Sequence, residues 1–207
     1  MVDGPRIALP IALRAYLVRC SRAVWRSSTQ SAIIAVLVAF SVSASLAAEV
    51  AAPSEYELKA VFIYNFIKFT EWPPAKLGKS DEPFIIGILG KDPFGGALDK
   101  VVEGDTLYDK RVVVRRYARV DDVVASHALF ISFSEEQSIT AVLKLLDGQG
   151  ASILTISETE NFAKRGGVIG LKKENKKVVF GINLIAANRA GLNISAQLLK
   201  IAKDVVK

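Results

Sequence analysis

Phe84-Ile85-Ile86-Gly87-Ile88-Leu89 is an unbroken apolar run, and no other stretch of the chain limits the fold as strongly. A strand with one wet face alternates polar and apolar residues. A strand-length run without alternation therefore belongs to a strand covered on both faces, as in the middle of a parallel sheet. Val112-Val113-Val114, Ala128-Leu129-Phe130-Ile131 and Ser152-Ile153-Leu154-Thr155-Ile156 repeat the pattern in shorter form. Helical signals separate them. Gly90-Lys91-Asp92-Pro93-Phe94-Gly95 is a turn leading into a helix, with Asp92 as N-cap and Pro93 as first helical residue. Ser134-Glu135-Glu136-Gln137 opens a second helix that ends at Gly148, with Ser134 as its cap.

Strands alternating with helices predict a single three-layer α/β domain, its sheet mainly parallel and its helices on both faces. Gly167–Leu171 and Val178–Ile182 predict a late antiparallel hairpin at the edge, joined by the polar loop Lys172–Lys177. A last helix over Ser195–Val206 closes the domain.

Ahead of the first strand, Leu58, Val61, Phe62, Phe66 and Phe69 recur at helical spacing across Glu55–Thr70. Trp72-Pro73-Pro74 ends that helix, because proline lacks a backbone donor and disfavours helix in the residue before it. Further upstream, Ser31–Phe40 is a short apolar run preceded by Arg14, Arg19, Arg22 and Arg26. That order is the n-region and h-region of an export signal, and Ser45-Leu46-Ala47 supplies small residues for cleavage. The run dissolves into serines before the length of about 20 apolar residues needed to span a membrane. The expected organisation is a signal peptide over 1–47, a linker over 48–54 and one domain over 55–207.

Residues 1–47 hold five Arg and one Asp of the chain's 27 basic and 21 acidic residues, so the remainder carries about +2 rather than +6. The basic character belongs mostly to the leader and argues for no nucleic-acid partner. Cys20, the sole cysteine, also lies in the leader, and His127 is the sole histidine. The expected mature domain thus has no disulfide, no thiolate nucleophile and no clustered metal site, and no cofactor is expected. Ser134 has no nucleophile elbow around it, and Gly87-x-x-Gly90 lacks the third glycine of a phosphate-binding fingerprint. Gly166-Gly167 behind Lys164-Arg165 is either an ordinary turn or a set of exposed amide donors beside two cations. The first helix and its exit carry Tyr56, Phe62, Tyr64, Phe66, Phe69 and Trp72, more aromatic surface than one face readily buries.

Tyr56-x-x-Lys59-Ala60-x-Phe62 with Phe66, Phe69, Trp72 and Pro73 resembles the start of the YfiR-like family of periplasmic proteins. Gly90-Lys91-Asp92-Pro93-Phe94-Gly95, Leu129-Phe130-Ile131, Leu154-Thr155-Ile156-Ser157, Phe162 and Gly166-Gly167-x-Ile169 follow in the family's order. Phe180-x-Ile182-Asn183 and Gly191-Leu192-x-Ile194-Ser195-x-x-Leu198-Leu199-x-x-Ala202 complete it. The resemblance implies a non-enzymatic periplasmic regulator that binds the extracytoplasmic domain of a membrane-bound diguanylate cyclase or related sensor, lowering cyclic di-GMP and restraining biofilm. The sequence leaves a small-molecule ligand and a homodimer open, and a periplasmic small-ligand binding protein is the alternative reading. The expected site centres on the first helix and its exit, through Phe62, Lys68 and Trp72. Arg165, Gly166 and Gly167 are its expected neighbours, with Asn183 and Arg189.

Overall fold

The computed structural model describes residues 53–175 and 177–207; the expected export signal over 1–47, and Cys20 within it, lie outside the described residues. Helix α1 (Glu55–Lys68) starts where its sequence provides a reciprocal cap. Ser54 Oγ accepts from the Glu57 amide at 3.2 Å, and the Glu57 carboxylate accepts from the Ser54 amide at 2.6 Å. The remaining elements in chain order are β1 (Thr70–Glu71), β2 (Phe84–Leu89), α2 (Ala97–Val102), β3 (Thr106–Leu107), β4 (Lys110–Tyr117), β5 (Ala128–Ile131), α3 (Ile139–Gly148), β6 (Leu154–Ser157), β7 (Ile169–Glu174), β8 (Lys177–Asn183), α4 (Leu184–Arg189), β9 (Asn193–Ile194), α5 (Ala196–Ile201) and β10 (Asp204–Val206).

Eight strands form one sheet in the order β10-β8-β7-β6-β5-β2-β4-β3. Its centre is parallel, with β2 between β4 and β5 and with β6 beside β5, while β7 and β8 form the expected antiparallel hairpin toward one edge. Every residue of β2 is buried, as its unbroken apolar run requires. Phe84, Ile86 and Ile88 point into a core shared with α1, α2, α4 and α5. Leu89 joins Leu129 and Ile131 of β5 against Ile139, Val142 and Leu146 of α3. Helices on both faces make the three layers expected.

Four local readings differ from the structure. The last helix stops at Ile201, and Asp204–Val206 pairs in parallel with β8, which would otherwise present a bare edge. The Lys203 amide donating to Phe180 O at 2.9 Å begins that pairing. Ser134 caps no helix; Ser132 accepts the Ser134 amide at the start of a 3-10 turn over Phe133–Glu135, and α3 starts only after Ser138. Asp92 accepts from the Phe94 amide at 2.7 Å, a two-residue turn, and α2 begins later, after Gly96. Thr70–Glu71 and Asn193–Ile194 form a small separate antiparallel pair, too short to leave any periodicity in the sequence.

Candidate functional site

In an open α/β sheet, ligands bind beyond the carboxyl ends of the strands, where the strand order reverses. That point here lies beside β2, which has β4 on one side and β5 on the other. The crevice is filled. The Lys91 amide donates to Ser134 Oγ at 3.0 Å, and Gly90, at φ 86°, leaves room for Ser134 and Glu135 to pack across it.

The open space lies further along, over β7, β8 and β10, as a cleft of about 660 Å³. Its floor includes Gly170 and Gly181, which face one another across the hairpin and leave bare backbone there. The loop Glu158–Lys164 forms one wall, the first turn of α1 another, and Phe133 stands on the rim, 57% exposed.

A charged network closes the cleft beside α1. Lys59 has a side chain only 4% exposed and pairs with Glu55 at 2.6 Å and with Glu158. Tyr56 donates its hydroxyl to Glu158 at 3.1 Å, and Lys173 reaches Glu55 at 2.5 Å. Burial works against the Lys59 ammonium, but the hydrogen bonds to Glu158 and Glu55 outweigh it and hold its pKa above the ordinary lysine value. The hydrogen bonds from Lys173 and then Lys59 hold Glu55 below the usual carboxylate range. Burial pushes the Tyr56 phenol up, aided by the Glu158 charge. The network fastens the first turn of α1 to the segment just after β6 and to β7.

The residues expected to form one site divide. Arg165, Gly166, Gly167 and Asn183 lie together behind the cleft's loop wall: Asn183 donates to Ala163 O at 2.6 Å, and its amide donates to Val168 O at 2.8 Å. Lys68, Trp72 and Arg189 belong elsewhere. Lys68 is exposed and rests 5.2 Å over the Tyr64 ring, and Arg189 pairs with Asp147 at 2.6 Å. Phe62 is half-buried against Phe66 and Phe180.

Three of the expected residues serve the interior instead of a surface. Trp72 is 5% exposed, its indole inserted against Phe84. Asn183 is buried and caps α4 by accepting the Ala186 amide at 2.9 Å. Gly167 is buried directly against the Phe162 ring, where an added Cβ would overlap it. Gly166, at φ 103°, is half-exposed with open space around it, and Arg165 donates to Glu136 O at 3.3 Å. Arg165 therefore sits at the turn that carries Phe133. The sequence reading missed Phe133, Lys59 and Glu158: the contact of Lys59 with Glu158 spans 99 positions, and Phe133 follows an apolar strand that masks it.

At the opposite edge of the sheet a second concavity of about 460 Å³ contains His127. His127 is stacked on Phe84 at 4.3 Å, and its Nδ1 accepts the Ile85 amide at 3.0 Å. Burial holds its pKa below 6.5; the Lys110 ammonium adds to that effect, and the Leu77 backbone and Glu82 oppose it. Protonation would also cost the Ile85 bond. The unfolded chain takes up a proton first as pH falls, so the stability His127 contributes is complete above about 6.5 and lost below it. Between about pH 7.5 and about pH 5.5 the melting temperature should fall more for the natural protein than for His127→Gln. Equal falls would place the acid sensitivity elsewhere.

A family model described as YfiR/HmsC-like matches residues 56–203. Among solved structures, a conserved domain protein from Vibrio cholerae O1 biovar eltor aligns with 73% of this chain and 60% of its own, at 13% identity and a TM-score of 0.47. The ABC domain in complex with L-Trp from Streptococcus pneumonia aligns with 71% of this chain and 60% of its own, at 12% identity and a TM-score of 0.48. The chain thus spans about 60% of the length of each of these two structures. No curated protein matches the sequence.

Proposed function

This chain belongs to the YfiR/HmsC-like family, and on that footing we propose that it is a non-enzymatic periplasmic regulator of cyclic di-GMP signalling. It binds the extracytoplasmic domain of an inner-membrane diguanylate cyclase or related sensor and holds it inactive. The family match carries the pathway, since it runs over nearly the whole described domain.

The binding surface rests on one observation, the exposed Phe133 on the cleft rim with Arg165 held to the same turn. Phenylalanine and arginine are both enriched at protein–protein interfaces relative to the rest of the surface. Two groups that an enzyme could use are engaged otherwise: Ser157 Oγ donates to Ile131 O at 2.7 Å, and the His127 ring is stacked on Phe84 with its Nδ1 accepting the Ile85 amide. The second reading, a small-ligand binding protein, is supported by the cleft itself, whose volume of about 660 Å³ suits a small molecule.

Phe133→Ala and Arg165→Ala should raise cellular cyclic di-GMP toward the level of a complete deletion. Both side chains are exposed, so the melting temperature of each variant should stay within about 2 °C of the natural protein. Natural cyclic di-GMP levels in both folded variants would remove this surface. An unchanged level in the deletion strain would remove the regulatory function, and a ligand that raises the melting temperature without altering cyclic di-GMP would favour the second reading.

A further inference from the structure

The concavity of about 460 Å³ that contains His127 lies at the leading ends of β2, β5 and β6. His127 precedes β5 and Phe133 follows it, so this site and the Phe133 surface stand at opposite ends of the strand. Ile85, Ile153, Leu77 and Ala151 give the concavity an apolar lining. Its volume falls within the range of ligand pockets, about 300–1,000 Å³.

The charged side chains that line it are Arg115, Lys76 and Glu82. Glu82 is turned back on its own loop, its carboxylate accepting the Lys79 amide at 3.1 Å. Lys76 donates to Gly150 O at 3.3 Å, and among the described residues no carboxylate pairs with it. Arg115 has no hydrogen-bond or ion-pair partner among the described residues, whereas the next residue, Arg116, is held by Asp92, Asp99 and Gly95 O. Arg115 stands level with Gly87 of β2, and the missing side chain there leaves space that Ser126 Oγ shares with Leu129 and Tyr117. The charge left over is positive and the lining is apolar. A ligand that answers both is an anion with an apolar body, and the planar guanidinium fork matches a carboxylate. We propose that this concavity binds a small apolar carboxylate, its anionic end on Arg115 and its body against Ile85 and Ile153, with Lys76 adding to the attraction. The proposal does not depend on the regulatory reading.

His127, the only histidine of the chain, is a reporter that no other site can imitate. Benzoate and hexanoate, one flat probe and one flexible, are titrated at about pH 7.5 into histidine-labelled protein expressed from the full chain, and the His127 ring proton is followed by NMR. At least one probe should shift that resonance saturably, with a dissociation constant in the millimolar range or tighter. The neutral counterparts benzamide and hexanamide should bind at least about tenfold more weakly, and Arg115→Gln should weaken the carboxylate by a similar factor. That side chain is exposed, so the melting temperature of the variant should be unchanged. No saturable shift with either carboxylate up to about 50 mM, equal affinity for acid and amide, or full affinity in folded Arg115→Gln would each overturn the proposal.

Discussion

Trp72→Ala should cost about 3–5 kcal/mol and leave little folded protein at physiological temperature. The indole is 5% exposed and meets Phe84 edge-on at 5.2 Å. Its Nε1–H is shared between His127 O at 3.2 Å and Ser152 O at 3.1 Å, which ties the leading ends of β5 and β6 to the segment leaving α1. Alanine empties the space and takes the indole donor away from Ser152 O, while His127 O keeps the Leu154 amide at 2.9 Å. Trp72→Phe separates the two losses, since it retains much of the volume and removes only the N–H, at about 1–3 kcal/mol. Thermal unfolding of the two variants measures both. A Trp72→Ala domain that melts within about 2 °C of the natural protein would mean that the indole faces solvent in solution.

The second large effect is expected from the smallest possible change, Gly167→Ala. The new methyl group would overlap the ring of Phe162, which is 1% exposed within the core beneath α3. Nothing at that site is a flexible tip that could swing away. The strand entrance would have to shift, or Phe162 would have to leave its rotamer, at a cost of about 1–3 kcal/mol. Gly166→Ala is the informative neighbour: its added carbon has free space but its φ of 103° disfavours any side chain, so it reports backbone strain alone. Unfolding in urea compares them. If Gly167→Ala is as stable as the natural protein, the packing of the loop against β7 is looser than described.

The elements legible in the sequence are those whose burial is uniform. Phe84–Leu89 reads as a central strand because both of its faces are covered. Val112–Val114 reads too short, because β4 runs from Lys110 to Tyr117 with Arg111, Arg115 and Arg116 turned to solvent, and exposed arginines break the apolar signal. Val205–Val206 hides in the tail of an amphipathic pattern, since the last turn of a helix and the first residues of an edge strand look alike without knowledge of β8 beside them. The candidate site was legible only in part. Aromatic surplus on the first helix pointed to an exposed face, but the face consists of Val61 and Phe69 rather than Trp72, whose burial depends on carbonyls 55 and 80 positions away. Arg165 and Gly166 stand out in the sequence through local composition, a glycine pair behind two cations. Phe133 does not, because its exposure is set by the turn after β5 and by no pattern of its own.

The small pair β1–β9 bears on the order in which the molecule is assembled. Thr70 sits opposite Ile194, and Asn193 hydrogen-bonds Glu71 across 122 positions. Lys59 likewise waits for Glu158, and Glu55 for Lys173, 118 positions later. The first helix of the domain can therefore complete none of these contacts until almost the whole chain has arrived. Closing such long loops before any contact rewards them is slow and favours a late, concerted collapse over folding from the amino terminus onward. A chain stitched end to end in this way remains unfinished until the segment that carries Asn193 and Ile194 is in place.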